Sequence, residues 1–76
     1  MRDLIHLIAN ALVDSPEKVI VNEVNSIHHS VFELKVAKAD LGKIIGKQGK
    51  TAHAIRTILS AASGKEKKRM TLEIVE

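Results

Sequence analysis

Apolar and polar positions alternate along this chain in two rhythms, and the switches between them outline six elements. Leu4, Ile5, Ile8, Ala11 and Leu12 recur at helical spacing. Asp3 stands as a candidate N-cap, and Ser15-Pro16 predicts a stop near Asp14, because the residue before a proline is pushed out of the helical region. Lys18 to Ser26 reads as a strand through Val19, Ile20, Val21 and Val24, with an imperfect alternation that leaves its register open. Asn25 to Ser30 is a polar hairpin connection whose one apolar member is Ile27. Val31 to Lys38 alternates more cleanly, with Phe32, Leu34 and Val36 on one face and Glu33 and Lys35 on the other.

The helical rhythm then returns. Ala39-Asp40 marks a helix start, followed by Leu41, Ile44 and Ile45 at i, i+3 and i+4. A second helix runs from about Lys50 to Ser63, with Ala52, Ile55, Leu59 and Ala62 as its buried stripe and Gly64 as its expected left-handed stop. Lys65 to Lys68 is a charged connection, and Met70, Leu72 and Ile74 alternate with Thr71 and Glu73 in a last strand. The order α-β-β-α-α-β predicts an α+β fold. The first two strands pair antiparallel, the helical crossover makes the second and third parallel, and three helices cover one face of a three-stranded mixed sheet.

Composition narrows the class. The 76 residues have room for one domain, residues 1–76, and the 45% hydrophobic content supports a packed core. With no cysteine, disulfides and thiolate metal sites are excluded. No apolar run approaches the ~20 residues that span a bilayer, and the amphipathic start does not read as a signal peptide. A soluble cytoplasmic protein is the expectation. Charge is polarised: from Leu41 to Arg69 there are eight basic residues against Glu66 alone, so the net +3 of the chain divides into +7 there and −4 elsewhere. Such a split favours an anionic partner on one side of the fold.

The chemistry concentrates where the two central helices meet, at Gly42-Lys43-Ile44-Ile45-Gly46-Lys47-Gln48-Gly49-Lys50. Two glycines separated by a cation and an amide allow a tight turn with positive φ, and they let bare backbone N–H groups and a lysine approach a phosphate. A Gly-X-X-Gly loop of this kind clamps nucleic-acid backbone in KH domains. Gly46, Lys47, Gln48, Gly49 and Lys50 form the candidate clamp, with Lys43 and Arg56 extending the cationic track. Phe32 is the sole aromatic residue, so there is no stacking platform of the kind that sheet-surface RNA readers use. Low sequence selectivity follows.

Set between two short helices in an α-β-β-α-α-β chain, this motif resembles a type II KH domain. Together with the Leu4 to Asp14 helix, His53-Ala54-Ile55-Arg56-Thr57 and the Leu72-Glu73-Ile74-Val75 end, the whole chain resembles the small bacterial single-KH proteins of the KhpA family. The resemblance implies a cytoplasmic RNA-binding protein, a probable RNA chaperone of low sequence specificity. It implies self-association, a larger KH-containing partner, KhpB, and a link to cell elongation and peptidoglycan homeostasis. It also implies a groove for bases between the helix pair and the strand Val31 to Ala37, with Ile44 and Ile45 as candidates for its aliphatic floor and core packing as the alternative for both.

Other signals point elsewhere. Gly49-Lys50-Thr51 imitates the end of a P-loop, but Ile44 stands where the first glycine belongs. His28-His29 reads as a solvated hairpin rather than a metal site, since no Cys or third His joins it. His6 reads as structural, and His53 as a candidate RNA contact. No nucleophile and base pair up, so no catalysis, cofactor, metal or small-molecule substrate is expected. Ala54, Thr57, Ile58 and Ala61 form an uncharged flank beside the core stripe of the long helix, a candidate homodimer or partner-KH contact whose alternative is a wide core stripe under the first helix. Two further readings stay open: a protein-interaction subunit that touches RNA little, and a helix-turn-helix binding DNA.

Overall fold

The computed structural model describes residues 1–75. Its elements are α1 (Arg2–Leu12), β1 (Ile20–Asn25), β2 (His29–Lys35), α2 (Leu41–Ile45), α3 (Lys50–Glu66) and β3 (Arg69–Val75). Short 3-10 turns at Pro16–Lys18, Lys38–Asp40 and Lys47–Gly49 join them. The strands lie in the order β1-β2-β3, with β1 antiparallel and β3 parallel to the central β2. This is the α+β arrangement that the alternation of patterns predicts.

Register decides what the sheet buries. Val21, Leu34 and Ile74 are aligned across the three strands, and Glu23, Phe32 and Leu72 form the next row. Phe32 and Leu34 are fully enclosed, and Ile5 and Ala9 of α1, Ile44 of α2, and Ile55 and Leu59 of α3 close over them. Burying each large side chain contributes roughly 1.5–3 kcal/mol.

The apolar stripe of α1 is narrower than its spacing suggests. Ile5 and Ala9 are its buried residues, whereas Leu4, Ala11 and Leu12 keep exposed surface. A helix resting on a small sheet covers one arc of its circumference, and these three fall outside it. Met1, not Asp3, occupies the N-cap, and no side chain caps the helix. The helix ends at Leu12, before Asp14, as Val13 turns extended and enters the core.

The end of α3 also differs from expectation. Gly64 is an ordinary helical residue, and the left-handed cap is Lys67, with φ 54°. Ser63 explains the displacement. Its carbonyl accepts the N–H of Lys68 at 3.2 Å, and its hydroxyl donates to Leu59 O at 2.9 Å and accepts the N–H of Met70 at 2.7 Å. The turn into β3 is thus built around Ser63, and the helix runs on past the glycine.

One buried carboxylate ties the helices together. Asp40, 2% exposed, accepts the N–H groups of Asp14 at 3.2 Å and Ser15 at 3.1 Å. Lys43 approaches it at 3.9 Å and also donates to Asp14. The exit of α1 is thereby clamped to the entry of α2, and the buried charge gains the hydrogen bonds it requires.

Two substitutions should move stability in opposite directions in urea denaturation. Asp40→Ala leaves two amides without their acceptor and should cost about 1–3 kcal/mol. Gly64→Ala, in a helix interior with open space around the added Cβ, should gain up to about 1 kcal/mol.

Candidate nucleic-acid interface

The helix α2 stops after Ile45 because Gly46 leaves the helical region, at φ 79° and ψ 171°. A Cβ on Gly46 would lie 2.2 Å from Thr51 Oγ1 and 2.8 Å from the Thr51 backbone nitrogen. Packing and backbone conformation both therefore demand glycine. Gly49, at φ 74°, faces open space, so its requirement is conformational alone. Between them Gln48 adopts the left-handed region at φ 58°, a cost that a side chain bears and a glycine would not.

This turn leaves donors free. Its backbone bonds engage the N–H groups of Gly46 (to Gly42 O, 2.9 Å), Gly49 (to Gly46 O, 3.1 Å) and Lys50 (to Lys47 O). The N–H groups of Lys47 and Gln48 have no partner among the described residues. The side chains of Lys47, Gln48 and Lys50 are exposed around them, and the first turn of α3 lies directly behind. Cationic side chains, unpaired amides and a helix N-terminus thus adjoin within one short segment, a combination of groups suited to a phosphate.

The adjoining groove runs along α3 and β3. Ile45, Gly49, Ala52, Arg56 and Ile74 line a hollow of about 280 Å³, and Arg56, Leu59, Met70, Thr71 and Leu72 line a second of about 180 Å³. β3 therefore walls these two hollows, while Lys35 and Val36 of the predicted strand line a separate hollow of about 370 Å³ with Lys38, Leu41 and Val75, which no residue of the turn borders. The reason is topological: β2 is hydrogen-bonded on both sides, while β3 is an edge strand. The order of the elements already contained this, since a central β2 has no free edge.

The structure separates the predicted site residues. Ile45 is 37% exposed and faces the groove, whereas Ile44 is fully enclosed in the core and has no surface to offer a ligand. Lys43 lies about 160° around the helix from Ile45. It is engaged by Asp14 and Asp40 instead of extending the cationic track. The hydrogen bond to Asp14, with the two carboxylates nearby, holds its ammonium above the ordinary lysine range. Of the turn residues Gly49 lines the groove together with Arg56, while Lys47, Gln48 and Lys50 are exposed beside it. His53 is exposed but lines neither hollow. Ile74, Met70 and Thr71 are the groove residues that sequence reading did not single out.

Two of the remaining histidines are hydrogen-bonded within the fold. His6 accepts from Asn10 at 3.0 Å, and His29 shares a 3.1 Å hydrogen bond with Thr71. No group of three His, Cys, Asp or Glu side chains is placed to hold an ion among the described residues.

Ala54, Thr57, Ile58 and Ala61 are all exposed, so this flank is not a core stripe under α1. Ile58 keeps 41% of its surface, and the Thr57 hydroxyl turns inward to its own helix, donating to His53 O at 3.0 Å. On α1, Leu4, Leu7 (66% exposed) and Ala11 add a second uncovered apolar flank. Leu7 follows Leu4 by three residues and precedes Ala11 by four, so it shares the face that the sheet leaves uncovered.

A mixed three-stranded sheet under three helices, with a Gly-Lys-Gln-Gly turn joining two of them beside an aliphatic groove, defines a type II KH domain. The family described as KhpA/KhpB, KH domain, matches residues 2–74, and the chain belongs to that family. It is similar to the RNA-binding protein KhpA of Caldanaerobacter subterraneus subsp. tengcongensis, with 53% identity over 75 residues, covering 99% of this chain and 100% of the relative. The RNA-binding protein KhpA of Clostridium perfringens is 51% identical over 75 residues, again covering 99% of this chain and all of the relative. That of Aquifex aeolicus is 49% identical over 76 residues, covering 100% of this chain and 96% of the relative. No solved structure matches the chain. No helix among the described residues is long and apolar enough to cross a membrane.

The adjacent isoleucines give a direct test of the groove assignment. Ile44→Ala should cost about 2–5 kcal/mol in denaturant unfolding, as expected for a filled core position. Ile45→Ala, at a position 37% exposed, should cost less, roughly 1–2 kcal/mol, and leave the amide spectrum of the core unchanged.

Proposed function

We propose that this chain is an RNA-binding protein that grips single-stranded RNA through the Gly46-Lys47-Gln48-Gly49 turn, with Lys50 and Arg56 continuing the contact. The observation that carries this reading is the turn itself. Two unpaired amides and two free ammonium groups surround backbone that Gly49 leaves open to close approach. Membership in a family whose relatives are named RNA-binding proteins supports it. The groove floor is aliphatic and takes bases by apolar contact, which makes most positions of the strand tolerant of sequence. Such a protein serves as a cytoplasmic RNA chaperone or adaptor, not as an enzyme, and requires no cofactor or small-molecule substrate. The KhpA resemblance extends the proposal to post-transcriptional control of cell elongation and peptidoglycan homeostasis.

A second reading rests on a different observation. The exposed Ala54-Thr57-Ile58-Ala61 flank carries no charge, although it lies on the surface of a basic protein. A charge-free helix flank suits contact with another KH fold, either a second copy of this chain or the KH domain of a larger KhpB-like protein. Under this reading the domain works mainly as an interaction subunit; under the first, the same flank pairs RNA-binding domains.

Two experiments separate these readings. Changing Lys47 and Gln48 together to Asp should reduce binding of single-stranded oligoribonucleotides at least tenfold while the far-ultraviolet spectrum stays native. Unchanged affinity would remove the turn from the interface. For the unmodified chain, log affinity should fall linearly with log salt, at about 0.7 per phosphate engaged. Thr57→Lys or Ala61→Glu should yield a folded monomer in sedimentation with RNA affinity per chain retained. An unaltered mass would place self-association elsewhere.

A further inference from the structure

The outer edge of β1 is unguarded. β1 pairs with β2 alone, in unbroken register from Ile20 to Asn25, so its other side carries no strand. Exposed sheet edges are commonly blunted by a lysine, a proline or a bulge; Ile20-Val21-Asn22-Glu23-Val24-Asn25 has none of these. The Ser26 N–H bonds to His29 O at 2.8 Å, and bonded pairs alternate along an antiparallel ladder. Ile20, Asn22 and Val24 therefore bond to β2, and the backbone groups of Val21, Glu23 and Asn25 point to the open edge. The side chains add to this. Ile20 and Val24, on the sheet face away from the helices, are large apolar residues left exposed. Glu23 lies on the helix-facing side, in the row of Phe32 and Leu72, and has no cationic partner among the described residues. Beside Val21, a hollow of about 360 Å³ opens against the start of α1, lined also by Arg2, Asp3, His6, Val19 and Ile20.

We infer that β1 is an interaction edge whose occupant is the β1 of a second copy of this chain, paired antiparallel about a two-fold axis at Asn22. Symmetry leaves few registers. Opposed residues must lie on the same face of the sheet, so the axis passes through a residue. An axis at Glu23 would oppose two carboxylates. Only the axis at Asn22 sets Ile20 against the partner's Val24. It opposes two amides at the centre and makes Val21 and the partner's Glu23 the pair that exchanges edge hydrogen bonds. The partner's Glu23 then enters the hollow at the start of α1. There its carboxylate meets the Arg2 guanidinium and the His6 ring, which together outweigh Asp3. His6 Nδ1 already accepts from Asn10, so Nε2 is the donor. By symmetry each contact occurs twice. The product is one continuous six-stranded sheet with β3 at both outer edges, so the two grooves lie roughly 24 Å apart, five strand spacings, on the far sides of the pair. Such a pair bridges two nucleic-acid strands. The contact is separate from the Ala54-Thr57-Ile58-Ala61 flank of α3 and does not depend on RNA binding.

One strand edge buries little surface, so the pair is short-lived and trapping, not mass, reads it. The chain has no cysteine, and a single introduced thiol therefore reports the register. Facing residues of a non-bonded antiparallel pair have Cα atoms about 4.5 Å apart, within disulfide reach. The test is made in the full Thr57→Lys chain, where pairing through the α3 flank is blocked, with oxidised glutathione as the oxidant. Asn22→Cys should form disulfide dimers at least tenfold faster than Val24→Cys, while Val24→Cys should crosslink to Ile20→Cys when the two are mixed. Adding Glu23→Lys should slow the Asn22→Cys reaction at least fivefold with the far-ultraviolet spectrum native, and adding Arg2→Glu to that chain should restore the rate. Equal rates from Asn22→Cys and Val24→Cys, with no preference in the mixture, would overturn the inference and leave the edge to a strand of another protein. A rate that Arg2→Glu does not restore would overturn the axis at Asn22. Loss of oligoribonucleotide binding is read separately: it would remove the RNA-binding reading and leave the crosslinking result standing.

Discussion

The close approach of Gly46 to Thr51 sets the geometry on which the candidate site depends. No side chain fits between these residues, because the atoms of Thr51 already fill the space that a Cβ would take. The first turn of α3 therefore packs against the end of α2, and the chain reverses within four residues. Across it the amides of Lys47 and Gln48 stay unpaired among the described residues, Lys50 starts the long helix, and Ile45 and Ala52 line the same hollow. A looser connection would hold the same side chains without fixing their arrangement.

The rest of the fold supports that turn from both sides. On one side, the Asp40 carboxylate and Lys43 join the end of α1 to the start of α2, so that a five-residue helix too short to be stable alone is held in place. On the other, Ile55 and Leu59 fix α3 over the sheet, and Ser63 locks its far end to β3. Lys43 shows how a cation close to the site in sequence is used in structure instead. It neutralises the carboxylates of the α1–α2 joint and lies on the opposite side of its helix from the groove.

The polarised charge fits this division of labour. The basic half of the chain builds the turn and the long helix, while most acids lie on α1, β1, β2 and the connections between them. A charge split of this kind favours an anionic partner on the basic side of the fold. The adjoining hollows are lined by aliphatic side chains apart from Thr71 and Arg56.

The sequence by itself determined the element order, the mixed sheet, the core strand face at Phe32, Leu34 and Val36, and the loop at Gly46 to Gly49. These are local properties: periodicity follows from backbone geometry, and two glycines around polar residues mark a turn wherever they occur. Tertiary structure decided which of two neighbouring isoleucines is buried, that β3 walls the hollows beside the turn, that Lys43 serves a carboxylate, and that α3 continues through Gly64 to a cap at Lys67. Each of these depends on a partner distant in the chain: Asp14 for Lys43, Met70 for Ser63, the whole sheet for Ile44. A linear pattern records what a residue prefers, and packing decides which neighbour supplies it.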